Sequence, residues 1–338
     1  MRLILDAMGG DNAPLAPVSG AARAVKELGV SVTLCGDEAK IKAIAAENGI
    51  SLDGITILHT EEIITMEDQP TDVVKAKKNC SMAVGLQALA DGKGDAFISA
   101  GNSGALLVGA TMIPRRIKGI KRAAMAPLLP TAAGHAILMD GGANTECRPE
   151  MLEQFGIMGS IYMERVLGRK NPRVGLVNNG TEEGKGTTLT KAAHEMLEKS
   201  SQINFVGNVE AREVPHGVCD IIVCDGFVGN AILKLTEGFA LAVLKLLKQK
   251  FTEGTRAKAG ALLLKNKMYE LKGEFDYSEY GGAPFLGVRG SVIKMHGSSN
   301  ANAVKNTILK GIPYAENRVV ETIESAVLEI EEIVNSED

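Results

Sequence analysis

LDAMGGDNAP, the stretch from Leu5 to Pro14, follows a short apolar run and leads into a segment with helical periodicity. Four more loops rich in glycine and asparagine also follow apolar runs: SAGNSGALL (99–107), VNNGTEEGKG (177–186), VCDGFVGNAILK (223–234) and KMHGSSNANAVK (294–305). A junction between a strand and a helix presents backbone N–H groups and the positive end of a helix dipole, which together bind anions such as phosphate. Several such junctions in one chain predict a shared crevice at the carboxyl ends of parallel strands.

Strand-like and helix-like segments alternate along the chain. The first half predicts strands over 3–5, 30–35, 55–59 and 96–99, and helices over 17–28, 38–48, 71–90 and 103–112. The rest continues the pattern and includes one long helix over 228–250. This order favours a mostly parallel sheet with helices on both faces, a three-layer α/β/α fold. No fixed-period repeat or disordered linker interrupts it, so we expect residues 1–338 to form a single domain.

The composition excludes some classes of protein. Hydrophobic residues make up 45% of the chain and the formal net charge is −4, so the overall charge predicts no nucleic-acid binding. The five cysteines are odd in number and lack a CxxC spacing, which favours buried thiols in a reducing compartment, the cytoplasm. The first residues do not resemble a signal peptide, and no uninterrupted apolar run reaches about 18 residues, so we expect no membrane span.

VNNGTEEGKG places Lys185 between two glycines, which is partly similar to a phosphate-binding P-loop. The match is incomplete, because only three residues separate Gly180 from Gly184, and Gly186 stands where a hydroxyl residue would hold magnesium. Lys185 remains a point charge among backbone amides, which suits inorganic phosphate or another small oxyanion. The alternative is a solvated loop lysine. No GxGxxG motif occurs, which counts against a Rossmann dinucleotide site and leaves other modes of cofactor binding open. We expect no cofactor.

Several loop side chains are candidates for a reaction site. Asn102, Ser103 and Asn230 can donate hydrogen bonds to an oxyanion, although Asn equally caps helices and turns. His296 follows a predicted strand, where it could donate to a phosphate or serve as acid or base. We expect the other four histidines to be structural or solvated.

No spacing of His, Asp and Glu predicts a metal site. The loop aspartates either hold a cation near phosphate or cap the helices that follow and fix the loops. They are Asp6, Asp11, Asp140 and Asp225.

Two segments are strongly basic. RRIKGIKR (115–122) could dock an acidic protein, or it could be a solvated turn. Residues 250–273 carry six Lys or Arg against two Glu, with Leu264, Met268 and Leu271 on one helix face. A basic amphipathic helix of this kind can lie on an anionic membrane, or it can pack on the fold or a second subunit with its lysines solvated.

Eight segments in chain order resemble those of the phosphate acyltransferases of bacterial phospholipid synthesis, also called acyl-ACP:phosphate acyltransferases. They are LDAMGGDNAP, SAGNSGALL, DGGAN, NNGTEEGKG, FVGN, VCDGFVGN, EYGGAP and HGSSNA. The resemblance extends from about Arg2 to the end of the chain. Ser103 stands where the family pattern often has threonine, and this change keeps the hydroxyl group.

The resemblance implies a soluble enzyme that moves a long-chain fatty acyl group from acyl carrier protein to inorganic phosphate. The acyl phosphate product then serves a membrane glycerol-3-phosphate acyltransferase in phosphatidic acid synthesis. Family members are homodimers whose α/β/α fold is similar to isocitrate- and isopropylmalate-type dehydrogenases and to phosphotransacetylases. They associate peripherally with the membrane, which suits residues 250–273, and acyl carrier protein gives residues 115–122 an acidic partner.

Phosphate is already an anionic nucleophile, so direct attack on a thioester needs no activated serine or cysteine and forms no acyl-enzyme. We expect Lys185 to bind phosphate with help from His296 or Ser298, and Asn230 and Asn102 to face the thioester or the oxyanion. The predicted catalytic residues are Lys185, Asn230 and His296, and the predicted substrate-binding residues are Asp6, Asn12, Asn102, Ser103, Asn179, Gly184, Gly186 and Ser298.

Two other functions stay open at this point. A phosphotransacetylase would use the same chemistry on a short-chain acyl-CoA. A non-catalytic membrane scaffold for lipid enzymes would sense acyl carrier protein through residues 115–122, although a scaffold has no need of a phosphate crevice.

Overall fold

The computed structural model describes residues 1–274 and 281–337, so Glu279 and Tyr280 of EYGGAP lie outside the described residues. The strands are β1 (Arg2–Asp6), β2 (Ser31–Gly36), β3 (Ile55–His59), β4 (Ala96–Ser99), β5 (Ala124–Met125), β6 (Leu128–Thr131), β7 (Gly134–Met139), β8 (Arg173–Asn178), β9 (Asn204–Glu210), β10 (Ile221–Val223), β11 (Ala283–Leu286) and β12 (Ser291–Lys294). The α-helices are α1 (Leu15–Leu28), α2 (Glu38–Glu47), α3 (Ser81–Ala90), α4 (Ser103–Ala110), α5 (Pro149–Arg165), α6 (Thr188–Lys199), α7 (Gly226–Thr252), α8 (Thr255–Glu274), α9 (Ala301–Glu316) and α10 (Val319–Glu337).

The strands form two sheets, in the orders β3-β2-β1-β4-β12-β11-β5 and β6-β7-β10-β8-β9. Neighbouring strands are parallel, except that β11 is antiparallel to β12 and β5, and β6 is antiparallel to β7. Because parallel strands end at the same edge, the loops after β1, β4 and β12 share one edge, and those after β7, β8 and β10 share another. The predicted mostly parallel α/β architecture is therefore confirmed.

Helices cover both faces of the first sheet. Leu3 and Leu5 of β1 are buried in a cluster with α1 and α9, whereas Ile4 between them is buried with α3 on the opposite face. This division follows from the alternation of side chains along a strand. The same cluster that holds Leu5 continues into the second sheet through Met139 and Val223, so the two sheets share one apolar core.

Residues 124–131 connect the two sheets. Ala126 N–H donates to the main-chain oxygen of Pro284 in the first sheet, at 2.9 Å. In the same segment the main-chain oxygens of Met125 and Pro127 accept from Gly141 and Leu138 in the second sheet, at 2.8 and 2.9 Å. One continuous segment thus satisfies backbone groups on both sides, and the crevice between the sheets has this segment as its floor.

The predicted helix over 71–90 is wrong in its first half. Residues 70–74 form a 3-10 turn in which Asp72 accepts from the backbone of Gln69, and α3 begins only at Ser81. The N-cap of α3 is Cys80, whose sulfur accepts from Ala83 N–H. The sequence analysis also missed β5, β6, β9 and β11, of which three have four residues or fewer and β9 pairs with β8 through an irregular register.

The long helix predicted over 228–250 is confirmed as α7, and α8 follows it as the second helix of a hairpin that covers most of 250–273. Large apolar side chains of this hairpin face outward, with exposed fractions of 66% for Phe239, 74% for Leu262 and 87% for Leu263. Among the described residues, α7 is the helix that is long and apolar enough to cross a membrane. Its sequence contains no uninterrupted apolar run of about 18 residues, so the sequence did not predict this.

Candidate active site

Three of the five glycine-rich loops meet in space. Met295 N–H donates to the main-chain oxygen of Ser99, and Asp11 N–H donates to that of Gly297, both at 2.8 Å. Only glycine fits at position 9, because a Cβ there would lie 2.7 Å from the backbone nitrogen of Gly101. The expected shared crevice is confirmed for the loops after β1, β4 and β12, which are neighbouring parallel strands.

These three loops enclose a pocket of about 380 Å³ together with α7 and residues 125–128. Its polar lining consists of Asp11, Ser103, Lys234, Glu237, Lys294 and His296, and its apolar lining includes Met66, Met125, Pro127, Leu128 and Leu233. Ser103 is the first residue of α4, so the positive end of that helix dipole lies at the pocket. A pocket that combines a helix N-terminus and Lys294 with one apolar wall suits an anion that reacts with an acyl group.

His296 has a defined tautomer in this arrangement. Its Nδ1 accepts from Ser298 N–H at 3.2 Å and lies 2.8 Å from Ser298 Oγ, so the proton of the neutral ring is on Nε2. Partial burial lowers the pKa of His296, and Lys234 and Lys294 add to this shift while Glu237 opposes it. The ring is therefore neutral at physiological pH and serves as a hydrogen-bond donor through Nε2.

Lys294 is a pocket residue that the sequence analysis missed. It is 9% exposed, and its ammonium group donates to the main-chain oxygens of Ala100, at 3.2 Å, and of Met295. Burial lowers the pKa of Lys294 to about 8, against the opposing attraction of Asp6 and Asp11. The signal was present in the sequence, because strands of a parallel sheet are usually continuous apolar runs and SVIKM contains one lysine.

Three predicted substrate-binding residues hold the loops in place. The two carboxylate oxygens of Asp6 accept from Ser81 Oγ and Ser99 Oγ, both at 2.7 Å, and burial raises the pKa of Asp6. Asn12 Nδ2 donates to the main-chain oxygens of residues 298 and 299. Asn102 caps α4, since its Oδ1 accepts from Ala105 N–H at 3.0 Å while its Nδ2 donates to the main-chain oxygen of Thr65.

The loops after β7 and β10 form a second group. Asp140 is buried, and its carboxylate fixes the DGGAN turn because it accepts from four backbone N–H groups. Burial raises the pKa of Asp140. Asp225 caps α7 through Val228 N–H at 2.9 Å. Asn230 lies beside Gly142 in the first turns of α7, one turn before Lys234 of the pocket. Helix α7 therefore connects the loops after β7 and β10 with the pocket formed by the loops after β1, β4 and β12.

Lys185 lies on an exposed loop after β8, outside the residues that line the pocket. Its main-chain oxygen accepts from Asn178 Nδ2. The next residue, Gly186, has a φ of +102°, and a Cβ there would clash with Thr190, so the turn requires glycine at this position. Asn179 and Gly184 are exposed on the same loop. Across the described ranges, one group has ligand atoms close enough to hold a metal ion, and it lies next to this loop: Glu183, His194 and Glu198.

The cysteines offer no nucleophile. Burial raises the pKa of each thiol, to about 11 for Cys80 and about 12 for Cys147 and Cys219, and further for Cys35 and Cys224. All five are thiols and four of them are buried. The reactive form of cysteine is the thiolate, so the raised pKa values make these thiols poor nucleophiles.

An apolar cleft of about 580 Å³ adjoins the pocket along α7. Ile232 and Leu129 line the cleft, and their chain neighbours Leu233 and Leu128 line the pocket. Farther along the cleft, Phe239 and Val243 of α7 face residues 211–215.

The fold and this pocket define a class: an α/β protein with a polar pocket at the ends of parallel strands. Two solved structures share the fold. A phosphotransacetylase from Streptococcus pyogenes has a TM-score of 0.64 at 13% identity, over 93% of this chain and 94% of that one. EutD phosphotransacetylase from Staphylococcus aureus has a TM-score of 0.60 at 14% identity, over 94% of each chain. At such identities the likeness concerns the fold alone.

Sequence comparison gives the family. The pattern that defines the family described as fatty acid synthesis protein matches residues 1–322. A protein named phosphate acyltransferase from Alkaliphilus oremlandii is 50% identical over 327 residues, 97% of each chain. Another of that name from Clostridioides difficile is 46% identical over the whole of both chains. The chain belongs to this family of fatty acid synthesis proteins, and the resemblance predicted from the loop motifs is confirmed.

Proposed function

We propose that this acyltransferase moves a long-chain fatty acyl group from acyl carrier protein to inorganic phosphate, giving acyl phosphate for phosphatidic acid synthesis. The observation that carries the proposal is the pocket itself, in which a helix N-terminus, Lys294 and His296 face an apolar wall. Relatives named phosphate acyltransferase, at 50% and 46% identity, support the same chemistry. A common core across both sheets supports treating residues 1–338 as one catalytic domain.

The reaction is a direct displacement. A phosphate oxygen forms a bond to the thioester carbon, the carbon–sulfur bond breaks, and the carrier thiol leaves as a thiolate that takes a proton from water. The protein holds phosphate against the thioester and stabilises the developing oxyanion. His296 is suited to the second task because its neutral ring carries the proton on Nε2. Ser103 and Ser298 supply hydroxyl groups nearby, and Asn230 borders the site from α7.

A long acyl chain fits the cleft beside α7. The cleft is almost entirely apolar and begins one residue away from the pocket wall, at Leu129 and Ile232. Each buried methylene contributes about 0.8 kcal/mol, which is about fourfold in affinity. An apolar cleft next to the pocket favours a long-chain donor over the acetyl group that a phosphotransacetylase would use.

Blocking the cleft tests the chain-length assignment. Val243→Trp fills the cleft midway, and Leu246→Trp places the same bulk on an exposed position of the same helix. We expect Val243→Trp to lower kcat/KM for a palmitoyl donor at least tenfold and to leave a butyryl donor within twofold. Equal losses of kcat/KM for both donors, or the same loss from Leu246→Trp, would show that the acyl chain does not bind in this cleft.

Acyl carrier protein, an acidic partner, matches residues 115–122. Lys118, Lys121 and Arg122 are exposed, and no carboxylate in the described parts of the chain lies within ion-pair distance of them. This segment lies five residues after the end of α4, whose first residue is at the pocket and whose eight residues are about 12 Å long, so a carrier docked there is near the reaction site. Complementary charge would speed encounter and orient the donor.

The α7–α8 hairpin supports peripheral membrane contact by a cytoplasmic homodimer. Pocket residues occupy the first turns of α7, so only residues 238–252 extend beyond the site, about 22 Å of helix against a hydrocarbon core of about 30 Å. Leu262 and Leu263 are exposed on α8 between Lys258 and Lys267, which suits insertion into an anionic bilayer surface. The remaining apolar face of the hairpin would pack on a second copy. Membrane contact would deliver acyl phosphate to the glycerol-3-phosphate acyltransferase.

A further inference from the structure

Among the residues that the structure describes, Lys294 is a buried cation without a direct counter-ion. An ammonium group has three N–H donors, and Lys294 uses two of them on the main-chain oxygens of Ala100 and Met295. No other atom of residues 1–274 and 281–337 accepts the third, and none of their carboxylate oxygens comes within 4 Å of Nζ. Lys294 is nonetheless a lining residue of the pocket, so we infer that its third donor is offered to a bound molecule.

The nearby carboxylates do not neutralise Lys294 directly. Asp6 spends its oxygens on Ser81 and Ser99, and a third bond comes from Met8 N–H. Asp11 lines the pocket and attracts Lys294 only from a distance. A buried charge whose partners are distant carries a desolvation penalty that an anion in direct contact would offset.

We propose that Lys294 binds the attacking phosphate directly, so that the phosphate site is the pocket at the end of β12 and not the exposed loop of Lys185. This inference rests on the proposed function and specifies where its nucleophile is held. Phosphate in the pocket lies between the ammonium group, the N-terminus of α4 at Ser103 and the ring of His296. The apolar wall at Leu128 and Leu233 then faces the thioester.

Inorganic phosphate is the probe for this proposal, because its binding can be measured without turnover. Titration calorimetry on the full chain gives the Kd for phosphate, and steady-state assays separate the KM for phosphate from that for the acyl donor. Lys294→Met removes the charge and keeps the length of the side chain. Lys294→Gln keeps a donor for Ala100, and Lys93→Met, an exposed lysine paired with Asp91, is the matched control.

We expect both Lys294 variants to weaken phosphate binding at least tenfold, to raise the KM for phosphate to the same degree, and to leave the KM for the acyl donor within twofold. Lys294→Met leaves the main-chain oxygens of Ala100 and Met295 without this donor, so its melting temperature should fall, and Lys294→Gln, which keeps a donor for Ala100, should fall less; phosphate binding is measured well below both transitions. Unchanged phosphate affinity in Lys294→Met, or a tenfold loss confined to Lys185→Met, overturns the proposal. A wild-type protein that binds phosphate through Lys294 without transferring acyl groups refutes the proposed function instead.

Discussion

Nζ of Lys294 lies 3.2 Å from the main-chain oxygen of Ala100 and donates a hydrogen bond to it, which ties the end of β12 to the turn after β4. The bond crosses between two of the loops that form the pocket, so the cation is part of the frame that holds the pocket open. His296 and Gly297 continue directly from it along the chain. The charge, the imidazole and the helix N-terminus are therefore positioned by neighbouring strands and do not depend on a mobile loop.

Phosphate affinity should fall as pH rises through about 8. The pKa of Lys294 is lowered to about 8 by burial, so the ammonium is charged below this pH and loses its proton above it. Calorimetric titration with phosphate between pH 7 and 9.5 measures the effect, and Lys294→Met should lack the decline. An affinity that is constant over this range in the wild type would contradict the placement of phosphate beside Lys294.

Stability should change with pH in the opposite sense. The pKa of Lys294 is lower in the folded protein than the usual 10.5, so the unfolded chain binds more protons between about pH 8 and 10.5. The Lys294 contribution to the free energy of unfolding therefore rises with pH over this window. Urea unfolding gives the free energies of unfolding of wild type and Lys294→Met at pH 7.5 and 9.5. The difference in free energy between the two proteins should change from the lower pH to the higher one. A difference that stays constant would show that the ammonium is solvated in the folded state.

Asn102→Ala should destabilise the fold even in the absence of substrate. Its Oδ1 accepts from Ala105 N–H and its Nδ2 donates to the main-chain oxygen of Thr65, so the substitution removes a helix cap and a tie to the neighbouring loop. Loss of an N-cap costs about 0.5–2 kcal/mol. Urea unfolding followed by circular dichroism measures the change, and Asn102→Asp, which keeps the cap acceptor, should recover part of it. Wild-type stability of the alanine variant would mean that Asn102 serves the substrate alone.

Changes in the basic segment 115–122 should alter the KM for the acyl carrier protein substrate and not the KM for phosphate. Lys118→Glu combined with Arg122→Glu reverses exposed charges, so the KM for acyl carrier protein substrates should rise at least tenfold at low salt, with the difference shrinking as salt increases. Steady-state kinetics with each substrate varied in turn measure this. Lys93→Glu, on a distant exposed turn, is the control. An equal rise in the KM for phosphate would point to a distorted pocket.

Membrane contact should depend on the two exposed leucines in the middle of α8. Leu262→Asp combined with Leu263→Asp places charge at side chains that are 74% and 87% exposed, so sedimentation with vesicles of anionic lipid should lose most of the bound protein. Leu309→Asp changes a 45% exposed leucine on α9 and should leave vesicle binding unchanged. Binding that survives the double substitution and persists in high salt would assign α8 to a protein interface.

The sequence predicted the fold better than the site. Alternating segments and glycine-rich junctions were enough for a parallel α/β architecture, because these patterns are local. The site depends on which junctions become neighbours, and strand order places the loops of His296, Ser103 and Asp11 together while the loop of Lys185 follows a strand of the other sheet. No local pattern encodes that separation, and the role of Lys185 in phosphate binding stays a prediction.

Several side chains have roles in the structure that differ from the roles predicted from the sequence, and the reason is physical. Asp6 and Asn102 are polar groups next to buried backbone, and such groups must first satisfy the loops around them. Lys294 was overlooked because it lies inside a strand, although a single charge in a buried strand is itself a sign of function. Lys234 and Glu237 form an ion pair at 2.8 Å on an exposed helix, which no sequence pattern separates from ordinary surface pairs.

The most direct test of the account is phosphate-dependent release of thiol from palmitoyl acyl carrier protein, with acyl phosphate trapped by hydroxylamine. We predict that thiol release requires phosphate, that palmitoyl hydroxamate forms in equal amount, and that no acylated protein accumulates. Consumption of acetyl-CoA with phosphate but not of the palmitoyl donor would make the protein a phosphotransacetylase. No turnover of either donor would contradict the enzymatic assignment and favour a scaffold.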